Sequence, residues 1–454
     1  MIKKTTLLVL LLAVGLGAVV YYFDWRRSNE EKPAKDTSKP AFSVSAADIS
    51  SFTLSHPIAP SDPSIRVEKR DGAWQIVQPV ETGADQSTAQ GIVDQLGSAR
   101  IEQTEPGDAD RRKAYGLDPA KVLVEFQLAN GAKHTLLIGN TDFTGNSVYA
   151  IVDGGPSVAL LPQSLFLSAG KPLDDLRDRA VLHVDSAEAA SFSLKNSSGE
   201  MAASKEKDDW SFTKPVATRA ASGSVDTLLS AVANAKMVSV ASEKPQDLDK
   251  YGLASPAITF SAATGKGTPA TLLVGKKDGA AYFARDTSRP TIFRITEELY
   301  KQLSGKFDEL RDKKLVHMDT ADMQRLEIHD ANGTIIVSRK KDSPEEWSFE
   351  APEDQKGKSA SAWKILDSFG DLKPEEVIDH PASGLTAQLA NPAISAVITD
   401  KAGTELKIRI AKPAGNFVYA QASDSPSLYK LKKNVFEELN VKPIDLVSLP
   451  VHPD

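Results

Sequence analysis

The sequence repeats itself three times at a spacing of about 136 residues. A tryptophan followed five residues later by a proline occurs at Trp74/Pro79, Trp210/Pro215 and Trp347/Pro352, so that consecutive tryptophans are 136 and 137 residues apart. Self-similarity at a long fixed period is typical of one supersecondary unit copied in tandem. Each copy is large enough to hold its own hydrophobic core, so the pattern predicts three small domains rather than the turns of a thin solenoid.

Other short motifs recur in the same order within each copy. Tyr115-Gly116-Leu117 with Pro119 returns as Tyr251-Gly252-Leu253 with Pro256, and a weaker third match is Ser383-Gly384-Leu385 with Pro392. Leu137-Ile138-Gly139 returns as Leu273-Val274-Gly275 and as Arg409-Ile410-Ala411. The repeats therefore predict three domains, residues 45–182 (repeat 1), 183–316 (repeat 2) and 317–454 (repeat 3). The polar composition of residues 28–44 predicts a flexible linker, and the hydrophobic run within residues 1–27 predicts a membrane anchor.

The hydrophobic periodicity within a copy predicts both strands and helices. Apolar residues alternate at Phe52 and Leu54, and again at Val122, Val124 and Phe126, as expected of half-buried strands. Apolar residues at helical spacing follow in each copy, namely Ile92, Val93, Leu96 and Ala99, then Val225, Leu228, Leu229 and Val232, then Ala362, Ile365, Leu366 and Phe369. Each copy is therefore predicted to be an α+β unit, an antiparallel sheet with two helices on one face.

The composition is that of an ordinary folded protein, with 454 residues, 41% hydrophobic and 25% charged. The formal net charge is −7, and no basic stripe matches a phosphate backbone, so nucleic acid is not expected as a partner.

The N-terminus contains nineteen uncharged residues from Thr5 to Phe23, just long enough for a helix that spans the hydrocarbon core of a membrane. Trp25 lies at the far end, where aromatic rings favour the headgroup region. The competing interpretation is a cleaved signal peptide, but the nearest small-x-small site lies inside the apolar run. The lipid bilayer is therefore a predicted partner, with this segment as a retained anchor.

The flanking charges do not decide the orientation, because Lys3 and Lys4 on one side are matched by Arg26 and Arg27 on the other. A short N-terminal tail with two lysines usually stays in the cytoplasm, and long domains translocate largely regardless of their charge. We therefore expect a single-pass protein of the inner membrane with its C-terminal domains in the periplasm.

The sharpest polar motif combines arginine, aspartate and histidine. Leu176-Arg177-Asp178-Arg179 with His183 returns as Leu310-Arg311-Asp312-Lys313 with His317, but the third copy has Ile444-Asp445-Leu446-Val447-Ser448 instead. Such a set can form a catalytic or anion-binding site. A motif that is present only where another copy follows is more simply explained as a junction, with Arg and Asp capping the closing helix and connecting it to the next strand.

The remaining motifs are expected to be structural. The three tryptophans favour core packing over exposed platforms for sugar or peptide, and the Tyr-Gly-Leu stretch favours turn chemistry over a groove shaped by Gly116 and Gly252. The chain has no Cys and no His-Glu-x-x-His, nor a phosphate-binding loop, so we expect no metal site, cofactor or catalytic residue.

The N-terminal helix and the ordered motifs together resemble the DUF4340 domain family of bacterial envelope proteins. The resemblance covers residues 45–454 and is strongest in the first two copies. It implies a membrane-anchored accessory or scaffold protein beside an ABC-type export permease, and it carries over no catalytic residue. A module that binds glycan or peptidoglycan is the alternative, and a hydrolase that uses acidic residues is a more distant third.

Overall fold

The computed structural model describes residue 21 and residues 38–447, apart from residues 60, 266, 344 and 371. The predicted anchor from Thr5 to Phe23 with Trp25, and the linker up to residue 37, lie outside these residues except for Tyr21. No helix within the described ranges is both long and apolar enough to cross a membrane.

The chain divides after Arg179 into two compact units. The first unit contains one nine-stranded antiparallel sheet, and the second unit contains two. Each sheet lies within one of the ranges 45–182, 183–316 and 317–454, although those boundaries themselves stay predictions.

The first unit contains eleven strands and four α-helices among the described residues. The strands are β1 (Lys39–Pro40), β2 (Ile49–Ser55), β3 (Ile65–Arg70), β4 (Ala73–Gln78), β5 (Thr82–Gly83), β6 (Arg100–Ile101), β7 (Gln103–Pro106), β8 (Val122–Leu128), β9 (Lys133–Thr141), β10 (Ser147–Val152) and β11 (Ser157–Pro162). The helices are α1 (Gln86–Ser98), α2 (Ala109–Ala114), α3 (Gln163–Ala169) and α4 (Leu173–Leu176).

The nine strands of this sheet run in the order β5-β4-β3-β2-β8-β9-β10-β11-β7, and β1 pairs separately with β6. The turn between β3 and β4 places Asp71 and Gly72 at φ angles of 50° and 85°, which is the backbone that an Asp-Gly hairpin supplies. Helix α1 is capped by the preceding residue Asp85, whose side chain accepts a hydrogen bond from the Thr88 N–H. The strands predicted from alternation are therefore present, and β3 and β4 form a hairpin.

The second unit repeats the same strand order twice. Its first sheet contains β12 (Ala189–Asn196), β13 (Gly199–Glu206), β14 (Asp209–Lys214), β15 (Thr218–Arg219), β16 (Ser239–Ser242), β17 (Ile258–Thr264), β18 (Ala270–Asp278), β19 (Ala281–Asp286) and β20 (Ile292–Thr296), with helices α5 (Ser222–Asn234), α6 (Glu297–Leu303) and α7 (Phe307–Leu310). Its second sheet contains β21 (Met323–Asp330), β22 (Gly333–Arg339), β23 (Trp347–Ala351), β24 (Ser359–Ala360), β25 (Glu376–Ile378), β26 (Ile394–Asp400), β27 (Glu405–Ile410), β28 (Phe417–Ala422) and β29 (Leu428–Lys432), with helices α8 (Trp363–Gly370), α9 (Ser383–Ala387) and α10 (Lys433–Leu439).

Each sheet has its own hydrophobic core beneath its helices. The apolar stripes predicted for α1, α5 and the start of α8 are buried in these cores. The α+β class and the antiparallel sheets are confirmed. The prediction of two helices per copy is too low, because the first copy alone has four, α1 to α4. Helices as short as α4 contain too few residues to show a helical period in the sequence.

Candidate functional site

The three tryptophans of the repeat are buried in the three cores. The indole Nε1 of Trp74 donates to Gln90 Oε1 at 3.1 Å, and that of Trp210 donates to Asp226 Oδ1 at 3.0 Å. In the third copy Trp363 lies edge-on to Trp347, and the Trp347 Nε1 atom has no hydrogen-bond acceptor among the described residues. The prolines that follow, Pro79, Pro215 and Pro352, all have cis peptide bonds. The three tryptophans pack the cores and offer no aromatic platform.

The turn formed by the Tyr-Gly-Leu motif packs directly against the strand that contains the Leu-Ile-Gly motif. The Asn140 N–H donates to the Tyr115 carbonyl at 2.7 Å, and a Cβ on Gly139 would lie only 2.2 Å from that oxygen. Gly116 has a φ angle of +66°, which favours glycine. The rings of Tyr115 and Tyr149 stack with centroids 3.9 Å apart. Glycine is needed at 139 because the turn lies directly against the strand.

The third copy departs from this arrangement. The match predicted at Ser383-Gly384-Leu385 is four residues out of register, because Leu389 is the leucine that is fully buried there, as Leu117 and Leu253 are in the other copies. Leu389 packs with Ala411, which occupies the position of Gly139. Helix α9 takes up the residues before it, so the local Ser-Gly-Leu pattern was misleading.

The Arg-Asp motif closes each copy through its backbone. Arg177 forms an isolated antiparallel bridge with Ala84, and Arg311 forms the same bridge with Ala220. In the third copy Val447 bridges Ala360 in the same way. The backbone closure therefore needs no arginine.

The arginine side chain of the second copy, unlike its backbone, contacts the next sheet. Arg311 donates two hydrogen bonds, both 2.8 Å long, to the carboxylate of Asp379, which follows β25 in the next sheet. Its side chain is only 1% exposed and lies over the ring of Phe307. Asp379 also accepts a hydrogen bond from the Ser427 hydroxyl at 2.8 Å. The Arg311–Asp379 pair thus joins the two sheets of the second unit.

Asp312 turns away from Arg311 and faces His317. Its Oδ2 lies 3.4 Å from His317 Nε2, and His317 Nδ1 lies 3.7 Å from Asp424 Oδ2. This histidine lines an open groove of about 550 Å³ together with Arg219 and Lys314. The predicted Arg-Asp-His set therefore divides into two separate pairs.

Burial and hydrogen bonding act against each other on these carboxyls. Burial alone would raise the pKa of Asp379, but the bonds from Arg311 and Ser427 hold the pKa below its usual value. The pKa of Asp312 is likewise lowered, because the neighbouring His317 and the hydrogen bond from the Lys314 N–H outweigh burial. Both groups are carboxylates at neutral pH.

In the first copy the same backbone arrangement holds. The Asp178 N–H donates to the Gly83 carbonyl at 2.9 Å, and Arg177 Nε lies 3.0 Å from Asp174 Oδ1. His183 belongs to the second unit, where it lines an open groove of about 700 Å³ beside Asp185.

Sequence reasoning missed Asp379, Ser427 and Asp424, the partners of the motif. One sequence signal was present for Asp379, because Asp379-His380-Pro381 recurs as Glu243-Lys244-Pro245 in the second copy. No comparable signal marks the other two, since both lie in the turn between β28 and β29.

The comparisons with known proteins agree with the repeat. No curated protein matches the chain. The model of a domain of unknown function, DUF4340, matches residues 74–217 and 210–392, so that its two matches begin at Trp74 and Trp210. Together these matches cover more than half of the sequence. The chain therefore belongs to the DUF4340 family.

Proposed function

We propose that this chain is a non-catalytic, membrane-anchored periplasmic protein that serves as an accessory or scaffold component of an ABC-type export or envelope system. The observation that carries the proposal is the Arg311–Asp379 pair. The most prominent polar motif of the sequence supplies a buried connection between consecutive sheets, with both hydrogen bonds at 2.8 Å. Repeated sheets with fixed junctions suit a protein that presents surfaces to other proteins.

The anchor is supported by the sequence from Thr5 to Phe23, which has the length and apolarity of a membrane-spanning helix. The folded copies would then lie on the far side of the membrane from Lys3 and Lys4. The chain has no cysteine, so Ala132→Cys, in the exposed turn between β8 and β9, would be the sole thiol of the protein. A membrane-impermeant maleimide should label it in intact spheroplasts, and labelling only after lysis would contradict the periplasmic placement.

The groove at His317 is the feature that comes nearest to a catalytic site, because Asp312 and His317 line it side by side and Asp424 lies 3.7 Å from His317. A hydrolase that works by acid catalysis needs a carboxyl with a raised pKa, whereas the pKa of Asp312 is lowered. We therefore expect the Asp312→Asn variant to keep the proposed scaffold function of the protein. Loss of function in a variant that still folds would favour the hydrolase instead.

Crosslinking in native membranes tests the scaffold role directly. Full-length protein carrying a photo-reactive residue at exposed surface positions should crosslink to integral membrane proteins, among them the permease of an ABC transporter. Retention of the full chain on purified cell-wall sacculi, without such crosslinks, would replace the proposal with the glycan-binding alternative.

A further inference from the structure

Three large apolar side chains are exposed among residues 38–179 of the first unit. Phe143 is 97% exposed, Leu167 is 61% exposed and Ile58 is 55% exposed. Single exposed apolar residues are common on protein surfaces, but a cluster of them marks an interaction site.

The topology brings these three residues to one end of the first sheet. Phe143 lies in the turn between β9 and β10, and Ile58 follows β2, whose last residue Ser55 pairs with Leu123 near the start of β8. Since β8 starts at the end of the sheet where β9 finishes, the two loops share that end.

Helix α3 lies at the same end. Its first N–H, that of Gln163, donates to the Asn146 carbonyl in the turn that holds Phe143, at 2.9 Å. A Cβ on Gly170, the residue after α3, would come within 3.9 Å of the Val122 side chain at the start of β8. Both ends of the helix therefore lie at this end of the sheet, which places the exposed Leu167 at the same end as Phe143 and Ile58. We call these three residues the apolar end.

The other two copies show that the fold does not require this surface. Helix α6 has Lys301 at the position of Leu167, and α10 has Glu437 there, both exposed. The connection that holds Ile58 is a two-residue turn in both other copies, at residues 197–198 and 331–332. The turn of Phe143 is reduced to residues 279–280 in the second copy. The exposed Leu167 and the loops that hold Ile58 and Phe143 therefore have no large apolar equivalent at these positions in the second copy.

The first copy is also where the chain enters the folded region, and the point of entry adjoins the apolar end. Lys39 pairs with Ile101, and the carboxylate of the next residue, Glu102, accepts a hydrogen bond from the Ser147 hydroxyl at 2.6 Å. The Ser147 N–H donates to Asp142, the residue before Phe143, at 3.1 Å.

We propose that the apolar end rests in the lipid–water interface of the bilayer that holds the N-terminal anchor, with Phe143, Leu167 and Ile58 inserted among the headgroups. This inference rests on the proposed membrane anchoring. The fourteen residues from Asp24 to Thr37 span at most about 50 Å when extended. A tether of that reach keeps the first copy at high effective concentration near the bilayer, so a weak apolar contact is enough. Asp142 and Glu102 lie nearby, so the attraction is apolar and does not depend on anionic lipid.

Site-directed spin labelling of the full chain tests the proposal. Single cysteines are introduced as Phe143→Cys or Leu167→Cys, with Ala132→Cys at the opposite end of the same sheet as the matched control. Each labelled protein is reconstituted into vesicles of phosphatidylethanolamine and phosphatidylglycerol. Labels at 143 and 167 should collide several-fold less with a water-soluble nickel complex than the label at 132, and more with oxygen. Equal access of the nickel complex at all three positions would overturn the proposal.

Two further readouts separate the alternatives. Flotation of the protein with the vesicles after an alkaline wash tests the membrane anchor alone. If the protein floats but its label at position 143 is exposed to water, the anchoring is supported and the proposed contact of the apolar end with the bilayer is contradicted. Leu167→Lys, which copies the second repeat, should restore nickel access at 143. Magnetic broadening between labels at 143, which reports a second copy of the chain on this surface, would also overturn the proposal.

Discussion

Arg311 and Asp379 lie 68 positions apart in the sequence and meet through two parallel hydrogen bonds of 2.8 Å at the junction of two sheets. The arginine is fully buried, and one carboxylate oxygen is shared with the Ser427 hydroxyl. Two parallel hydrogen bonds between a guanidinium and a carboxylate fix the relative orientation of the two groups as well as the distance between them. The relative placement of the two sheets in the second unit is therefore specified by side chains.

Breaking this pair should destabilise the second unit strongly. Asp379→Ala leaves the guanidinium of Arg311 buried without its main partner, which costs about 3–5 kcal/mol. Hydrogen exchange of the full chain, followed over residues 305–320 and 374–382 in increasing urea, measures the change. The control is Glu350→Ala, which removes an exposed partner of Arg325 and should cost at most about 1 kcal/mol. Equal effects of the two changes would contradict the junction.

The same pair predicts a dependence on pH. The pKa of Asp379 in the folded protein lies below that of the unfolded chain, which is about 3.9. The carboxylate therefore stabilises the fold above about pH 4, and the stabilisation is lost as the pH falls through the lower, folded value. The stability difference between the wild-type chain and Asp379→Asn should shrink as the pH is lowered below about 4. A difference that stays constant with pH would show that the carboxylate is not the stabilising group.

The hydrogen bond from Trp210 to Asp226 offers a test of core packing. Asp226→Ala leaves a buried indole N–H without an acceptor, with an expected loss of about 1–3 kcal/mol. Asp226→Asn keeps a side-chain oxygen at the same place and should recover most of that loss. Denaturant unfolding monitored by tryptophan fluorescence gives both values. If alanine and asparagine behave alike, the hydrogen bond contributes little.

Glycine at position 275 should be indispensable to the second copy. A Cβ there would lie 2.1 Å from the Tyr251 carbonyl, so Gly275→Ala forces the turn away from the strand at a cost of about 1–3 kcal/mol. Gly223→Ala in α5, where a Cβ would meet no atom within 4 Å, is the matched control. That change should be neutral or stabilising, because alanine favours helix. Thermal unfolding of the two variants compares them, and similar melting temperatures would contradict the close approach.

The sequence pattern predicted much of this fold for a physical reason. Three copies of one pattern reinforce each other, because the alternation around Phe52 and the stripe that includes Ile92 recur at equivalent positions in the other copies. The edge strands β5, β15 and β24 have only two residues each and therefore show no alternation. Their existence depends on pairing with a neighbouring strand, which is a long-range property.

The partners of the polar motif were hidden for a similar reason. Arg311 was identified as a junction residue, but Asp379 belongs to a loop of the next copy, and a pairing across 68 positions leaves no local periodicity. The register error at Leu385 has the opposite cause. A Gly-Leu pair near the expected position resembled the motif, whereas burial selects Leu389, four residues later.

The bridge between Ala360 and Val447 separates two properties of the chain. A copy is closed by its own main chain whether or not arginine is present, whereas the connection between the two sheets of the second unit depends on the Arg311 side chain. Closure and connection can therefore be altered independently, and an arginine placed at position 447 would leave the closing bridge of the third copy in place.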